Sequence, residues 1–412
     1  MAKPIIPVLL GADLNCYNVA RAFHEAYGVK SYAFGRYKVS ATMYSRIIDF
    51  TEEPGMEKDE VMLRHLKKFA EDHPEGQLIL MGCTDHYADM IIRLHDQLPQ
   101  YLAPMPPKSI YSSIQKKAEF YKVCEKYGIS YPKSVVVDKK VDAAELTAEK
   151  LGFEYPIIIK ASSSQDYFLH EFEGMKKVYT SESAEESAKI ISDIYDSGYP
   201  DTIVLQKMVI GGDANMRVLT CFSDAKGKVR AVCLGHTMIE EHTPQGLGNH
   251  AAIVTEDAHS LPMVEKIIAM LEDIGYTGFS NFDIKRDGDS DNYYAFEINL
   301  RQGRSNYYVT GAGINIAKLV VEKFNDPGDD VNICTDQTYW HLVPSDVAFK
   351  YCEDKELVET ARRLEKEGKS TCSVLYSADT RFNPLRWIDA HEMLRRQRGK
   401  FATYYPKQPG KN

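Results

Sequence analysis

Gly278-Phe279-Ser280-Asn281-Phe282-Asp283-Ile284-Lys285 and Tyr293-Tyr294-Ala295-Phe296-Glu297-Ile298-Asn299 flank the polar turn Asp287-Gly288-Asp289-Ser290-Asp291-Asn292. Two strand-forming runs around such a turn predict a hairpin. Side chains alternate along a strand, so Glu297 and Asn299 share a face. Antiparallel pairing of Arg286 with Tyr294 also sets Asp283 against Glu297. Two carboxylates and an amide then converge, a donor set that suits Mg²⁺, a hard ion with a preference for oxygen. The alternative is a cross-strand polar face turned to water. Asp287, Asp289 and Asp291 imitate the first, third and fifth positions of an EF-hand, but the sixth is Asn292 and the twelfth Ile298, so the turn is read as a solvated loop. Directly after the hairpin, Asn299-Leu300-Arg301-Gln302-Gly303-Arg304-Ser305 adds two guanidiniums, which grip phosphate or carboxylate oxygens in pairs. For one of them a surface ion pair is the plainer reading.

Upstream, Ile5 to Leu10 is an apolar run followed by a helical pattern from Leu14 to Tyr27 that ends at Gly28. Gln77 to Cys83 repeats the scheme through Thr84-Asp85 into an amphipathic stretch, Tyr87 to Leu98. Strands alternating with helices predict a parallel, Rossmann-like sheet, although G-x-G-x-x-G is absent. Ligands favour the carboxyl ends of such strands, which makes Asp13, Asn15 and Asp85 candidates for substrate contact; helix capping is the rival role for Asp85. Pro104, Pro106 and Pro107 mark a boundary, followed by a helix predicted from Ile110 to Tyr127. Strands at Ser134–Val137 and Pro156–Lys160 and a helix at Ala184–Ser197 predict a small α+β lobe. Strands at Thr202–Met208, Met216–Phe222 and Val229–Leu234, a helix at Pro262–Ile274 and the hairpin predict a larger, mostly antiparallel one. Beyond Asn325-Asp326-Pro327-Gly328-Asp329 the chain reads as a separate extension with a charged helix near Asp354 to Glu367.

Composition narrows the class. The 412 residues are 44% hydrophobic and 26% charged, close to globular averages, and allow two to four compact units. A net charge of −9 argues against a nucleic-acid partner. No apolar run approaches a membrane span, and the Met1-Ala2-Lys3-Pro4 start lacks the features of a secretory signal, which predicts a cytoplasmic protein. The eight cysteines are scattered singly and suggest neither zinc nor a redox motif. His24-Glu25, His170-Glu171 and His391-Glu392 lack the second histidine of H-E-x-x-H, and Gly368-Lys369-Ser370 ends like a P-loop whose first glycine would be Arg363.

Taken together, the Phe282-Asp283-Ile284-Lys285 strand, the Phe296-Glu297-Ile298-Asn299-Leu300-Arg301 strand and two upstream lysines resemble the ATP-grasp superfamily. The resemblance implies an α/β and α+β fold: a Rossmann-like pre-ATP-grasp domain over 1–108, a small ATP-grasp lobe over 109–200, a large lobe over 201–328 and an extension over 329–412. It implies ATP and Mg²⁺ as cofactors, with Mn²⁺ as a substitute, and Asp283, Glu297 and Asn299 as metal ligands. Lys117 and Lys160 match the lysines that hold ATP phosphates, with Lys116 a neighbouring competitor for the first role. Gln206-Lys207-Met208-Val209-Ile210-Gly211-Gly212-Asp213 resembles the hinge that meets adenine and ribose, through Lys207, Val209 and Asp213. Ser162-Ser163-Ser164 stands where the family has a Gly-rich phosphate flap, with Ser163 as the candidate contact.

A closer likeness runs from about residue 5 to 325. Pro7-Val8-Leu9-Leu10-Gly11-Ala12-Asp13-Leu14-Asn15, Asn215-Met216-Arg217-Val218-Leu219, Cys233-Leu234-Gly235-His236 and the 298–305 stretch resemble the D-aspartate ligases of Gram-positive cell-wall synthesis. That implies a carboxylate–amine ligase working through an acyl phosphate. Its partners would be a small acidic amino acid, D-aspartate, and the lysine amine of a peptidoglycan precursor, with homodimerisation left open. Arg301, Arg304 and Lys160 would be catalytic, and Asp13, Asn15, Arg217, His236 and Asn249 would face substrate. The polar segment Glu240–His250 could cover the site or be a plain surface loop. Rival readings are an ATP-grasp ligase for another amino acid or free dipeptide, an ATP-grasp kinase, and a nucleotide-binding protein without turnover.

Overall fold

The computed structural model describes residues 3–244 and 246–405, without the side chains of Ser164 and Gln165. Met1, Ala2, Gln245, the Ser164 side chain and residues 406–412 of the extension therefore lie outside the described residues.

β1 (Ile5–Leu10) has no polar residue to turn outward, and all but its first residue are buried, as a central parallel strand requires. It pairs in parallel with β2 (Ser31–Gly35) and β4 (Gln77–Gly82), while β3 (Ile48–Glu52) and β5 (Tyr101–Leu102) complete the order β3-β2-β1-β4-β5. The strand order reverses between β1 and β4, so their carboxyl ends form the switch point where such sheets bind ligands. The helix Leu14–Tyr27 begins there, with the Asp13 carboxylate accepting from the Cys16 amide, and ends at Gly28 with φ 67°. Thr84 caps the helix Asp85–Leu94 by accepting from the Tyr87 amide, so the capping role considered for Asp85 belongs to its neighbour.

A second sheet contains β6 (Ser134–Val137), β7 (Ile157–Ala161), β8 (Tyr179–Ser181) and β9 (Ile203–Lys207), antiparallel in the order β6-β9-β7-β8. Ile157, Ile159, Ile203 and Leu205 face Ile191 and Ile194 of the helix Ala184–Asp196 to make its core. The third sheet takes β10 (Met216–Ser223), β11 (Val229–Glu240), β12 (His250–Glu256), β13 (Gly278–Arg286), β14 (Tyr293–Asn299), β15 (Asn332–Ile333), β16 (Tyr339–His341) and β17 (Ser370–Cys372). Its order is β14-β13-β10-β11-β12-β16-β17, with β15 beside β11.

The chain divides into two compact units. The first comprises Met1–Ile110, Gly212–Phe282 and Asn299–Asn412, so far as they are described; the second comprises Tyr111–Gly211 and Asp283–Ile298. The division cuts β13 and β14, placing Asp283 and Glu297 in the second unit and Asn299 in the first. No described helix is long and apolar enough to cross a membrane.

Three sequence expectations change. The strand expected at Thr202–Met208 for the larger lobe is β9, inside the second sheet between β6 and β7. Residues after 329 are not a separate extension: β15–β17 join the third sheet, and Trp340 is fully buried. Beyond β17, Asp379 accepts hydrogen bonds from Tyr17, Ser45 and the Arg46 amide and pairs with Arg386, both side chains at 0% exposure. Strands of two or three residues carry no periodicity, which is why the pattern did not reveal them. The helix predicted over Ile110–Tyr127 is two helices, Lys108–Ile114 and Lys117–Lys126, separated by an extended Lys116 (φ −85°, ψ 139°).

Candidate active site

The break at Lys116 separates the two competing lysines. Lys116 turns to Asp201 at 2.7 Å, whereas Lys117, on the next helix, reaches Glu297 at 2.8 Å. β14 is latched to that helix within the second unit: Tyr121 donates to the Phe296 carbonyl at 3.0 Å, Gln206 donates to Tyr121 at 2.8 Å, and the Ala295 amide donates to the Ser130 carbonyl. The latch fixes the register of Glu297 against Lys117.

Lys160 stands next to last in β7, on the face opposite Ile157 and Ile159, with its ammonium 5.2 Å from the centre of the Phe296 ring. Burial, and then repulsion from Lys117, bring its pKa down to about 7, against the pull of Glu297 and Asp283. Glu297 is held well below the usual carboxylate range, first by Lys117 and then by Lys177 and Lys160. Lys177, an exposed residue that sequence reasoning missed, therefore belongs to the same field. Three cations and two carboxylates leave this region short of negative charge, and a lysine driven towards neutrality by burial and by a neighbouring lysine gains when an anion arrives. Those cations with the hard oxygens of Asp283 and Glu297 fit a nucleoside triphosphate and a divalent cation.

The other nucleotide candidates are more mixed. Ser163 donates its hydroxyl to Asp166 at 2.6 Å and its amide to Tyr199, while the neighbouring Ser162 hydroxyl is buried with no partner among the described residues. Lys207 is exposed and Val209 buried. In the first unit Asp213 is buried, and its Oδ2 already accepts from the Glu240 amide at 2.9 Å and from His242 at 2.8 Å.

In that unit the turn after β14 is seated on the switch point. Asn15 donates to the carbonyls of Cys83 and Gln302 and accepts from Asn306 at 2.7 Å, and Gln302 donates to the Gly82 carbonyl. Asn15, Gln302 and Asn306 are all 0% exposed, so Asn15 builds the turn and presents no face to substrate. At Gly303 a Cβ would lie 2.6 Å from Asn281 Oδ1, so the closure of the turn requires glycine. Arg301 grips Asp85 through Nε and Nη2 at 2.8 and 2.9 Å. Arg304 Nη2 meets Glu241 at 3.3 Å, while its Nη1 is buried with no partner among the described residues. Burial raises the pKa of Asp13, and Arg304 and then Arg301 oppose that rise.

Arg217 and His236 are not placed as substrate contacts. Both are buried, and both bind Glu256, at 2.8 and 2.7 Å; His236 also meets the Ala214 carbonyl. They tie β10, β11 and β12 together, a job their spacing could not reveal because Glu256 comes from a strand the sequence pattern missed. The Asn249 carbonyl accepts from the Glu241 amide at 2.7 Å and so helps to close the turn between β11 and β12.

Residues 116–322 match the family described as "Carbamoyl-phosphate synthase L chain, ATP binding domain". The chain is 34% identical over 418 aligned positions to a D-aspartate ligase of Enterococcus faecium (strain Aus0004), covering 99% of this chain and 98% of the relative. Among solved structures, the fold is similar to the biotin carboxylase domain of 2-oxoglutarate carboxylase from Hydrogenobacter thermophilus, solved with MgADP (TM-score 0.59, 14% identity, 82% of this chain and 74% of that one). It is also similar to an L-amino acid ligase from Bacillus licheniformis (TM-score 0.54, 13% identity, 78% and 74%). With a full-length relative at that identity and an ATP-binding family match across half its length, the chain belongs to the D-aspartate ligase family of ATP-grasp enzymes and is an ATP-dependent, metal-using ligase that forms C–N bonds.

Proposed function

We propose that this ligase activates the side-chain carboxylate of D-aspartate and joins it to the lysine side-chain amine of a peptidoglycan precursor. The observation that carries the substrate is the full-length likeness to the E. faecium D-aspartate ligase. The two guanidiniums of one turn, beside the Asp13 carboxylate, suit a ligand with two carboxylates and one ammonium. Asp13 takes the ammonium. Arg304, with one nitrogen unpaired among the described residues, takes the reacting carboxylate and later the acyl oxygen as charge builds on it.

In the second unit Lys117 and Lys160 hold the phosphates, and Asp283 and Glu297, with Asn299 two residues along β14, hold Mg²⁺ or Mn²⁺. When bound, the metal neutralises phosphate charge. Backbone groups at Lys207 and Val209, and the serine loop around Ser163, serve the nucleotide; Asp213 is assigned to holding a turn instead of the ribose. A carboxylate oxygen attacks the terminal phosphorus of ATP, ADP leaves, and the acyl phosphate forms. The deprotonated amine then attacks the acyl carbon and inorganic phosphate leaves with the bridging oxygen.

A screen of D- and L-amino acids against free lysine and lysine-bearing muropeptides, with products weighed by mass spectrometry, tests the assignment. D-Aspartate with the muropeptide should give the amide and stoichiometric ADP. Amide formation from L-amino acids alone would remove D-aspartate from the account and leave the ligase chemistry in place.

A further inference from the structure

The geometry points to Tyr405, which follows the C-terminal helix Pro384–Tyr404, as a positioning residue for Arg304, acting through the turn between β11 and β12. The inference rests on the role proposed above for Arg304, and it lies outside the 116–322 segment that the ATP-binding family covers.

Among the described residues Arg304 forms an ion pair with Glu241 at 3.3 Å, so the placement of Glu241 bears on where the guanidinium sits. The Glu241 side chain is 7% exposed and its main chain is clasped at both ends: the amide donates to the Asn249 carbonyl, and its own carbonyl accepts from the Gly248 amide. Gly246 leaves room for the Glu241 carboxylate, since a Cβ there would stand 2.4 Å from Glu241 Oε2.

What fixes the turn from behind is a buried stack. Asp213 Oδ2 accepts from the Glu240 amide and from His242 Nε2, the residues on either side of Glu241. The imidazole lies flat on the Tyr405 ring, with centroids 4.5 Å apart and planes at 24°. Tyr405 is itself anchored, donating to the Tyr351 carbonyl at 2.7 Å and packing on the Phe401 and Tyr351 rings.

Packing beside the stack is incomplete. Glu241, His242, Thr243, Gln397, Lys400 and Phe401 line a cavity of about 10 Å³, room for about one water molecule. His242 Nδ1 and Gln397 Oε1 are both buried with no partner among the described residues. The Asp213 bonds and the aromatic stack together hold the turn on this side. Displacing Arg304 by about 1 Å is enough to cost roughly a hundredfold in rate, so a residue that only braces the turn has a kinetic signature.

The test compares Tyr405→Ala, Tyr405→Leu and Tyr405→Phe in the full chain with D-aspartate, ATP and a lysine-bearing muropeptide, and follows amide hydrogen exchange at Glu240 and Glu241. Tyr405→Ala should speed exchange at both amides and lower kcat by roughly 10- to 100-fold while the KM for ATP stays within about twofold. Tyr405→Phe keeps the ring but loses the hydroxyl's bond to the Tyr351 carbonyl, and should recover most of both readouts; Tyr405→Leu, which keeps bulk without a ring, should behave like the alanine variant and stands in for it if that variant does not fold. Native exchange at Glu240 and Glu241 in both the alanine and leucine variants overturns the proposal. So does a loosened turn with full kcat when Arg304→Ala is inactive. If Arg304→Ala itself is fully active, the catalytic assignment of Arg304 fails instead, and the exchange data still decide whether Tyr405 holds the turn.

Discussion

The two units treat charge in opposite ways. Around Glu297 in the second unit, cations outnumber carboxylates, Lys160 is driven towards neutrality, and the Lys117–Glu297 pair is open to solvent at 15% and 32%. Around Asn15 and Asp379 in the first unit, polar groups are fully buried and bonded mainly to one another. Unbalanced, accessible charge is an arrangement that a ligand completes. Buried polar groups that satisfy each other shape the backbone, so changes there should appear first as lost stability and changes in the second unit first as lost turnover.

The largest effect should come from the charged region. Glu297→Ala removes a proposed metal ligand and the partner of Lys117, and metal-dependent amide formation should fall by roughly a hundredfold or more with only a small change in thermal midpoint. Retained turnover would end the metal assignment.

Arg386→Ala inverts that pattern. It leaves Asp379 buried without its cation and should cost about 3–5 kcal/mol in denaturant unfolding. Asn15→Ala strips hydrogen bonds from two buried carbonyls and from Asn306 and should cost about 1–3 kcal/mol. If either variant kept full stability but lost turnover, the contrast between the units would collapse.

The smallest effect is a proton. The pKa of Lys160 in the folded protein, about 7, lies below its ordinary value of 10.5, so the unfolded chain binds more protons between those limits. Free-protein stability should therefore rise with pH across that window, the burial penalty being complete below about pH 7. A bound triphosphate favours the charged ammonium. Calorimetry of ADP binding near pH 8, in buffers of differing ionisation enthalpy, should show proton uptake that Lys160→Arg abolishes.

Much of this was legible from residues alone, for identifiable reasons. β1, β4 and the hairpin announce themselves because continuous apolar runs and period-two alternation are local signals, and Lys160 stood out as a charge ending an apolar strand. What stayed hidden depended on distant partners. Lys116 and Lys117 are indistinguishable until an extended residue separates their helices. Asn15 looks like a ligand-facing amide until residues 302–306 close over it, and Arg217 and His236 look functional until Glu256 arrives from β12. The C-terminal strands are too short for any pattern, and Tyr405 gains its meaning from His242, a partner distant in the chain.

The central claim is that a carboxylate is activated as an acyl phosphate, and isotope transfer tests it most directly. With D-aspartate labelled with ¹⁸O in its side-chain carboxylate, mass analysis of the released phosphate should find one ¹⁸O for each amide formed. Phosphate free of the label, or release of AMP and pyrophosphate in place of ADP, would contradict the account.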